Sequence, residues 1–119
     1  MLQSFSFRSE SLIGLDMVFD CRFLKNPNWV NGLKDLNGTN FEVKDYLHKD
    51  KSWASFKKNI LQLLATIIPA FEREGKSYLS IGFGCTGGQH RSVFVAEELH
   101  KHLLAKKYDV KILHANLQN

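Results

Sequence analysis

The chain has few of the residues that stabilise small extracellular domains: only two cysteines and two prolines occur in 119 residues. One pair, Cys21 and Cys85, in a chain with enough apolar residues for a core favours free thiols over a disulfide framework. No uninterrupted apolar run approaches the ~20 residues that a membrane-spanning helix needs. The first residues also lack the basic and apolar regions of a signal peptide. These absences predict a cytoplasmic protein with no membrane partner.

The remaining composition is that of an ordinary folded domain. A hydrophobic content of 44% and an aromatic content of 12% allow one modest core, which predicts a single domain over residues 1–119. The net charge of +4 is compatible with an anionic ligand, although ordinary solvated lysines account for it equally well.

Hydrophobic spacing predicts strands that alternate with helices. Strands are expected near residues 5–8, 17–24, 78–83 and 110–113, and helices over 30–36, 43–47, 53–71 and 93–104. Pro69 is expected to kink the long helix or to end it early. The alternation predicts an α/β fold, a single-domain mixed sheet with flanking helices. In such sheets ligands gather at the carboxyl ends of the strands.

The most informative segment is a glycine loop between a strand and a helix, Cys-Thr-Gly-Gly-Gln-His-Arg-Ser at residues 85–92. Glycines let backbone N–H groups approach a ligand closely, and the first turn of the following helix adds unpaired N–H groups and the positive end of its dipole. This arrangement suits an anion, most often a phosphate.

Side chains of the same loop add hydrogen-bond donors. Arg91 brings a forked, permanently charged donor set, His90 a titratable one, and Thr86 and Ser92 bring hydroxyls. Few structural turns need all four. Because an anion site at a helix start is a surface feature, we expect replacement of Arg91 by alanine to leave folding intact.

Three chemical interpretations of the loop compete. In a cysteine phosphatase, Cys85 of the C-x5-R-S spacing would attack phosphorus, and Asp20 or Asp45 would be the general acid. The histidine that usually precedes such a cysteine is replaced by Gly84. The second interpretation is noncatalytic anion binding, and the third is a tight turn with Arg91 in an internal ion pair. The phosphatase hypothesis is disfavoured, so no catalytic residue, cofactor or metal ligand is assigned.

Two further strings extend the pattern beyond the loop. Phe-Asp-Cys-Arg-Phe-Leu-Lys-Asn-Pro-Asn-Trp at residues 19–29, Ser-Tyr-Leu-Ser-Ile-Gly at 77–82 and Gly-Cys-Thr-Gly-Gly-Gln-His-Arg-Ser-Val at 84–93 together resemble the C-terminal domain of the RapZ family, the RNase adapter proteins. The resemblance covers about residues 4–114.

The resemblance implies a fold similar to a phosphofructokinase subdomain. It also implies a domain that senses glucosamine-6-phosphate, an amino-sugar phosphate, and binds a small regulatory RNA for delivery to a ribonuclease. Carried over by position and combined with the loop glycines, the expected phosphate- and ligand-binding site comprises Asp20, Arg22, Asn26, Cys85, Thr86, Gly87, Gly88, His90, Arg91 and Ser92.

Several positions depart from the RNA-binding relatives. Asn28 stands where they have a histidine before the tryptophan, Gln89 replaces a basic loop residue, Arg8-Ser9 aligns with their Lys-His pair, and residues 115–119 replace a basic tail. RNA binding is therefore expected to be weak. Trp29 and Trp53 are expected to form core or pocket walls and not platforms for bases.

The same resemblance bears on domain organisation. In full-length relatives this domain follows a P-loop nucleotide-binding domain, and no such domain is present in the chain. Residues 75–77, Gly-Lys-Ser, do not form a P-loop, because Ala70 stands where the leading glycine is needed. The chain is therefore expected to be a fragment of a longer protein, with an N-terminal domain missing.

Overall fold

The computed structural model describes residues 1–9 and 14–117 of the chain. Strands and helices alternate along these residues, which confirms the predicted α/β class. In chain order they are β1 (Leu2–Ser6), β2 (Met17–Asp20), a 3₁₀ helix (Pro27–Trp29), α1 (Phe41–His48), α2 (Lys51–Arg73), β3 (Ile81–Cys85), α3 (Arg91–Ala105) and β4 (Ile112–His114).

The described strands form one sheet in the order β2-β3-β1-β4. All of its pairings are parallel: Leu2 and Met17 both align with Ile81, from the two sides of β3, and Ile112 aligns with Leu2. We expected a mixed sheet. α2 returns the chain between β2 and β3 and α3 returns it between β3 and β4, so these three strands start at the same edge, and β1 pairs parallel with both β3 and β4.

The hydrophobic core lies between one face of the sheet and the helices. Phe83 of β3 is fully buried and its ring stacks on Phe19 of β2, with the ring centroids 5.8 Å apart. On the helix side, Trp53 of α2 contacts Phe94 of α3 edge to face at 4.8 Å. The prediction of a core position is thus confirmed for Trp53, and α3 is anchored across the centre of the sheet.

The first strand ends at Ser6 and not near residue 8, and two predicted elements of the next segment also differ from expectation. β2 stops at Asp20 and not at residue 24, because the Asp20 carboxylate accepts the backbone N–H of Arg22 and closes a turn. Residues 30–36 form turns with i to i+3 bonds, not a helix, and Gly32 within them has a φ of 88°. Because of both changes, the 3₁₀ helix Pro27–Trp29 is the one regular element between β2 and α1, and the rest of that described segment is turns and loop.

The long helix also runs further than expected. α2 continues from Lys51 to Arg73, four residues past Pro69, so the proline does not end the helix early, and a kink at Pro69 stays a prediction. Gly75 follows the helix with a φ of 82°. Residues 75–77 therefore come after the end of a helix, whereas a P-loop leads into the start of one.

Candidate functional site

The carboxyl ends of β1, β2 and β3 meet at one edge of the sheet. Ser6 at the end of β1 is in register with Cys85 at the end of β3, and Asp20 at the end of β2 is in register with Gly84. The glycine loop of residues 86–90 begins at this edge and runs into α3 at Arg91. The sequence-predicted loop therefore lies where parallel sheets bind ligands.

The loop is held in place from β1 and from the C-terminal turn. The hydroxyl of Ser6 donates to the carbonyl oxygen of Thr86 at 2.6 Å, and the backbone N–H of Ser6 donates to Asn116 Oδ1 at 2.8 Å. Gly88 lies in the left-handed region with a φ of 70°, and a Cβ there would stand 2.9 Å from both Ser6 N and Asn116 Cβ. Only glycine fits this position without rearrangement.

The start of α3 carries no acidic residue and no side-chain cap. His90 occupies the N-cap position without capping the helix, and the first turn contains no acidic side chain. The imidazole Nε2 of His90 lies 3.2 Å from the carbonyl oxygen of Lys34; since a carbonyl only accepts, Nε2 is the donor. The positive end of the α3 dipole is therefore not neutralised by a carboxylate of its own first turn.

Cys85 lies beneath the loop and is directed at Ser92. Its Sγ atom is 3.1 Å from the hydroxyl of Ser92 and accepts the Ser92 backbone N–H at 3.4 Å, and both residues are buried. Cys21, the second thiol, is buried beside it, and burial raises its pKa above the usual range, with the nearby Cys85 adding to the effect.

Gly84 is the position where a phosphatase carries histidine. A Cβ there would lie 2.6 Å from the rings of Phe5 and Phe7, so packing requires glycine.

Arg91 connects the glycine loop to the segment after β2. Its Nη1 donates to the carbonyl oxygens of Arg22 at 3.0 Å and Leu24 at 3.1 Å, and its Nη2 lies 3.5 Å from the hydroxyl oxygen of Thr86. The residue is only 6% exposed. Within residues 1–9 and 14–117, no carboxylate pairs with it within 4.0 Å. The contacts of this buried guanidinium are therefore with carbonyl and hydroxyl oxygens and not with a paired carboxylate.

Around these residues lies a cleft of about 400 Å³, which we call the carboxyl-edge cleft. Its walls come from the glycine loop, the end of β1 and the segment after β2. It is lined by Arg8, Asn26, Asn28, Trp29, Lys34, Cys85, Thr86, Gly87, Gln89, His90 and Arg91. Three of these side chains are permanently cationic, and no acidic residue of the described chain is among them. The electrostatic potential of the cleft therefore favours anions.

The structure brings six of the predicted site residues to this cleft: Asn26, Cys85, Thr86, Gly87, His90 and Arg91. Gly88 and Ser92 lie behind the wall, where they shape the loop and hold the cysteine. Asp20 and Arg22 adjoin the cleft without lining it.

Asp20 and Arg22 form a salt bridge with each other. The guanidinium donates to both carboxylate oxygens, with the shortest contact at 2.7 Å, and both side chains are about half exposed. The hydrogen bonds from Arg22 lower the pKa of Asp20, and the charge of Arg91 contributes further. The same pairing raises the pKa of Arg22. Arg22 also lies 4.3 Å above the ring of Phe7. The pair is thus held by its own contacts outside the lining of the cleft.

Neither candidate for a phosphatase general acid suits that role. Asp20 is held as a carboxylate by Arg22, whereas a general acid must carry a proton at working pH. Asp45 lies on α1 and pairs with Lys49 at 2.9 Å, and it does not line the cleft. The cysteine spacing is present, but the proton donor that would complete the reaction is not supplied by either residue.

Sequence reasoning did not assign five of the cleft residues: Arg8, Asn28, Trp29, Lys34 and Gln89. Lys34 reaches the cleft because Gly38 donates its N–H to the carbonyl of Gln89 at 2.8 Å and packs against the start of α3. Nothing in the local sequence signals that contact. Trp29, expected to be a core or pocket wall, lines the cleft while 83% exposed, so the pocket alternative is confirmed and the core alternative is not. The signal for it was its place two residues after Pro27 in the string that carries the resemblance.

A larger cavity of about 550 Å³ lies at the opposite edge of the sheet, where strands begin at Leu2 and Ile81. Its charged lining residues have both signs, Glu72 and Asp109 beside Lys76 and Lys111. It has neither the glycine loop nor a helix start.

In the described ranges, no helix is both long and apolar enough to span a bilayer.

Together, the fold and the cleft define a parallel α/β domain with a cationic site at the carboxyl edge of its sheet. Comparison with known proteins identifies the family of this domain. The family model described as the RapZ C-terminal domain matches residues 1–118. The chain is 50% identical over 116 residues to a nucleotide-binding protein of Dinoroseobacter shibae, covering 98% of the chain and 39% of that relative. It is 48% identical to a nucleotide-binding protein of Cereibacter sphaeroides, with the same coverage, and 44% identical to one of Ruegeria pomeroyi, with 98% of the chain and 41% of the relative covered.

The chain belongs to the RapZ C-terminal domain family, as the sequence strings predicted. It spans about two fifths of the length of these curated relatives.

Proposed function

We propose that this domain binds the phosphate group of a small phosphorylated metabolite in the carboxyl-edge cleft and acts as a regulatory sensor. The preferred ligand class is an amino-sugar phosphate such as glucosamine-6-phosphate, which the family resemblance implies. The phosphate would lie over the glycine loop and the start of α3, with Thr86, Gly87 and Arg91 around it. Asn26 and His90 would complete the walls.

The observation that carries this proposal is the sign of the charge in the cleft. Arg8, Lys34 and Arg91 line it, and no acidic side chain of the described residues does. The start of α3 adds partial positive charge that no carboxylate of its first turn offsets. Cationic side chains together with the backbone amides of the loop match the distributed negative charge of a phosphate.

Arg91 gives a second argument for an anion. A guanidinium that is 6% exposed normally needs a counter-charge, and the two backbone carbonyls on Nη1 supply dipoles but no negative charge. The Asp20 carboxylate acts on it only from beyond salt-bridge distance and is itself paired with Arg22. A bound phosphate would pair with it from the open side of the cleft. We therefore assign Arg91 two roles, as a latch for the residue 22–24 segment and as the central cation of the site.

The relatives are named nucleotide-binding proteins, and a nucleotide also carries phosphate. The test therefore compares ligand classes by NMR titration of the 119-residue chain. Inorganic phosphate, glucosamine-6-phosphate, glucosamine and ADP are added separately. We expect the two small phosphates to shift the amides of Gly87, Gly88 and Val93, and unphosphorylated glucosamine to leave them unchanged. The phosphosugar should bind more tightly than ADP.

A charge-matched pair of variants controls for nonspecific attraction. Lys34→Ala removes a cleft cation, and Lys106→Ala removes an exposed cation at the far end of α3. Lys34→Ala should weaken phosphate about two- to fivefold, the value of one partly exposed charge pair, while Lys106→Ala should have no effect. Equal losses in both variants, or no response of the parent to any phosphate, would contradict the proposal.

An RNA-binding adapter module is the second candidate, and one observation favours it. Trp29 is 83% exposed and lies beside Arg8 and Lys34, an arrangement that single-stranded nucleic acids use for stacking and backbone contact. The cleft has fewer cations than the RNA-binding relatives, because Gln89 and Asn28 replace basic residues. Binding of the isolated domain to RNA is therefore expected to be weak.

A further inference from the structure

The two tryptophans of the chain have opposite environments. Trp53 is 3% exposed and packs against Phe94, whereas Trp29 is 83% exposed and lines the carboxyl-edge cleft. Single exposed apolar residues are common on protein surfaces and need no explanation by themselves. Trp29 differs because its large ring borders a cleft of about 400 Å³, within the size range of small-molecule sites.

Backbone contacts, and not packing of the ring, hold Trp29 at the rim. It ends the 3₁₀ helix of residues 27–29, in which Pro27 is buried and the Asn26 side chain accepts the N–H of Asn28 at 3.0 Å. The N–H of Trp29 donates to the carbonyl of Asn26 at 3.2 Å. The indole is thus presented by a short element with a defined backbone, and most of its surface remains free for a ligand.

The segment that carries Trp29 is tied to the phosphate side of the cleft. Arg91 Nη1 bonds the carbonyl oxygens of Arg22 and Leu24, a few residues before the 3₁₀ helix. The residue proposed to pair with phosphate therefore also positions the loop that leads to Trp29. A ligand that has a phosphate at one end and an apolar face at the other would contact both.

We propose that Trp29 is the specificity-determining platform for the sugar ring of the phosphorylated ligand, a role that rests on the proposed function. The face of an indole is electron-rich, and the C–H groups on one face of a hexopyranose carry partial positive charge. Stacking these surfaces covers apolar area on both partners. Inorganic phosphate has no such face, so Trp29 distinguishes a phosphosugar from free phosphate.

The test measures dissociation constants of inorganic phosphate and of glucosamine-6-phosphate by NMR titration for four proteins. These are the parent, Trp29→Ala, Trp29→Phe and Phe41→Ala, the last a control whose aromatic ring is 74% exposed but does not line the cleft. Trp29→Ala should weaken the phosphosugar about tenfold and leave inorganic phosphate within about twofold. Trp29→Phe should recover part of the loss, and Phe41→Ala should match the parent.

Intrinsic fluorescence gives an independent measurement. Because Trp53 is buried, quenching by the neutral quencher acrylamide in the parent should report Trp29, and glucosamine-6-phosphate should reduce that quenching while inorganic phosphate should not. Circular dichroism of each variant confirms that the fold is retained.

The outcomes separate this inference from the function on which it rests. If the parent binds phosphate and phosphosugar but Trp29→Ala changes neither, the platform role is wrong and the phosphate site stands. If Trp29→Ala weakens ADP or a single-stranded RNA but not the phosphosugar, the ring stacks on bases, which also overturns the inference. If the parent binds neither phosphate nor phosphosugar, the proposed function fails and the platform role fails with it.

Discussion

Arg91 Nη1 donates a hydrogen bond to the carbonyl oxygen of Leu24 at 3.1 Å, across 67 residues of sequence, within a buried environment. The same nitrogen also bonds the carbonyl of Arg22. A residue that the sequence placed in a surface anion site is therefore a tertiary contact between α3 and the segment after β2. The expectation that Arg91→Ala would leave folding intact assumed that Arg91 is exposed. Arg91 is buried, so that assumption is wrong.

Arg91→Ala should destabilise the domain by about 2–4 kcal/mol, because it leaves two carbonyls without their charged donor and each unpaired group costs ~1–3 kcal/mol. Urea denaturation at constant m-value measures this. Arg22→Ala is the matched control: it removes a half-exposed arginine whose ion pair contributes little. Equal destabilisation by both substitutions would show that Arg91 is not the latch described above.

The neighbouring residues Gly88 and Gly87 differ in whether their positions can accept a Cβ atom. Gly88→Ala should lower the free energy of unfolding by about 1–2 kcal/mol from the left-handed backbone alone, with the contacts to Ser6 adding more. A Cβ at Gly87 meets no heavy atom within 4 Å, so Gly87→Ala should fold normally. It should nevertheless weaken phosphate, because the methyl group would hinder close approach to the loop amides. Thermal melts and phosphate titration of both variants decide this; a stable Gly88→Ala would contradict the loop geometry.

Phosphatase activity is expected to be absent. Cys85 is buried against Ser92, and Asp20 and Asp45 are unsuitable as general acids. Incubation of the domain with an aryl phosphate, with Cys85→Ser alongside, measures this directly. Robust hydrolysis that disappears in Cys85→Ser would overturn the noncatalytic interpretation.

Acid stability should depend on Asp16, at the start of β2. Its carboxylate accepts the backbone N–H of Ser80 at 2.8 Å and pairs with Lys76 at 2.9 Å, and these bonds, the Ser80 bond first, lower its pKa. A depressed pKa means that the contribution to stability is complete above the unfolded value, about 3.9, and is lost as pH falls through the folded value. The melting temperature of the parent should therefore exceed that of Asp16→Asn at neutral pH. The difference should shrink below about pH 4; a constant difference would show that the carboxylate charge is not involved.

RNA binding by the isolated domain should be weak and strongly dependent on salt. Affinity for a phosphate backbone falls steeply with salt in proportion to the number of cationic contacts, and the cleft offers Arg8, Lys34 and Arg91. Gel-shift titrations at low and moderate salt, with a structured RNA and a scrambled control, test this. A tight, sequence-selective complex that survives moderate salt would favour the adapter function. Of the C-terminal tail that replaces the basic tail of relatives, residues 118 and 119 lie outside the described part of the chain.

The sequence by itself determined the features that depend on short-range chemistry. Alternating and helical spacing predicted the α/β class and most elements, since burial imposes those periods on the chain. The order of strand, glycines and helix predicted the loop and its place at the carboxyl edge, and the strings around residues 19–29 and 84–93 predicted the family, which the family model confirms. The ends of strands and helices were less well predicted where a side chain bonds the backbone and closes a turn, as the Asp20 carboxylate does after β2.

Only the tertiary structure decided how these parts share space. The uniformly parallel sheet, the burial of Arg91, the approach of Lys34 through the contact between Gly38 and Gln89, and the exposed position of Trp29 all come from contacts between distant segments. Such contacts depend on packing of the whole domain and leave no periodic pattern in the sequence. Local chemistry thus specifies a glycine loop between a strand and a helix, while packing specifies which charges surround it and which ring borders the cleft.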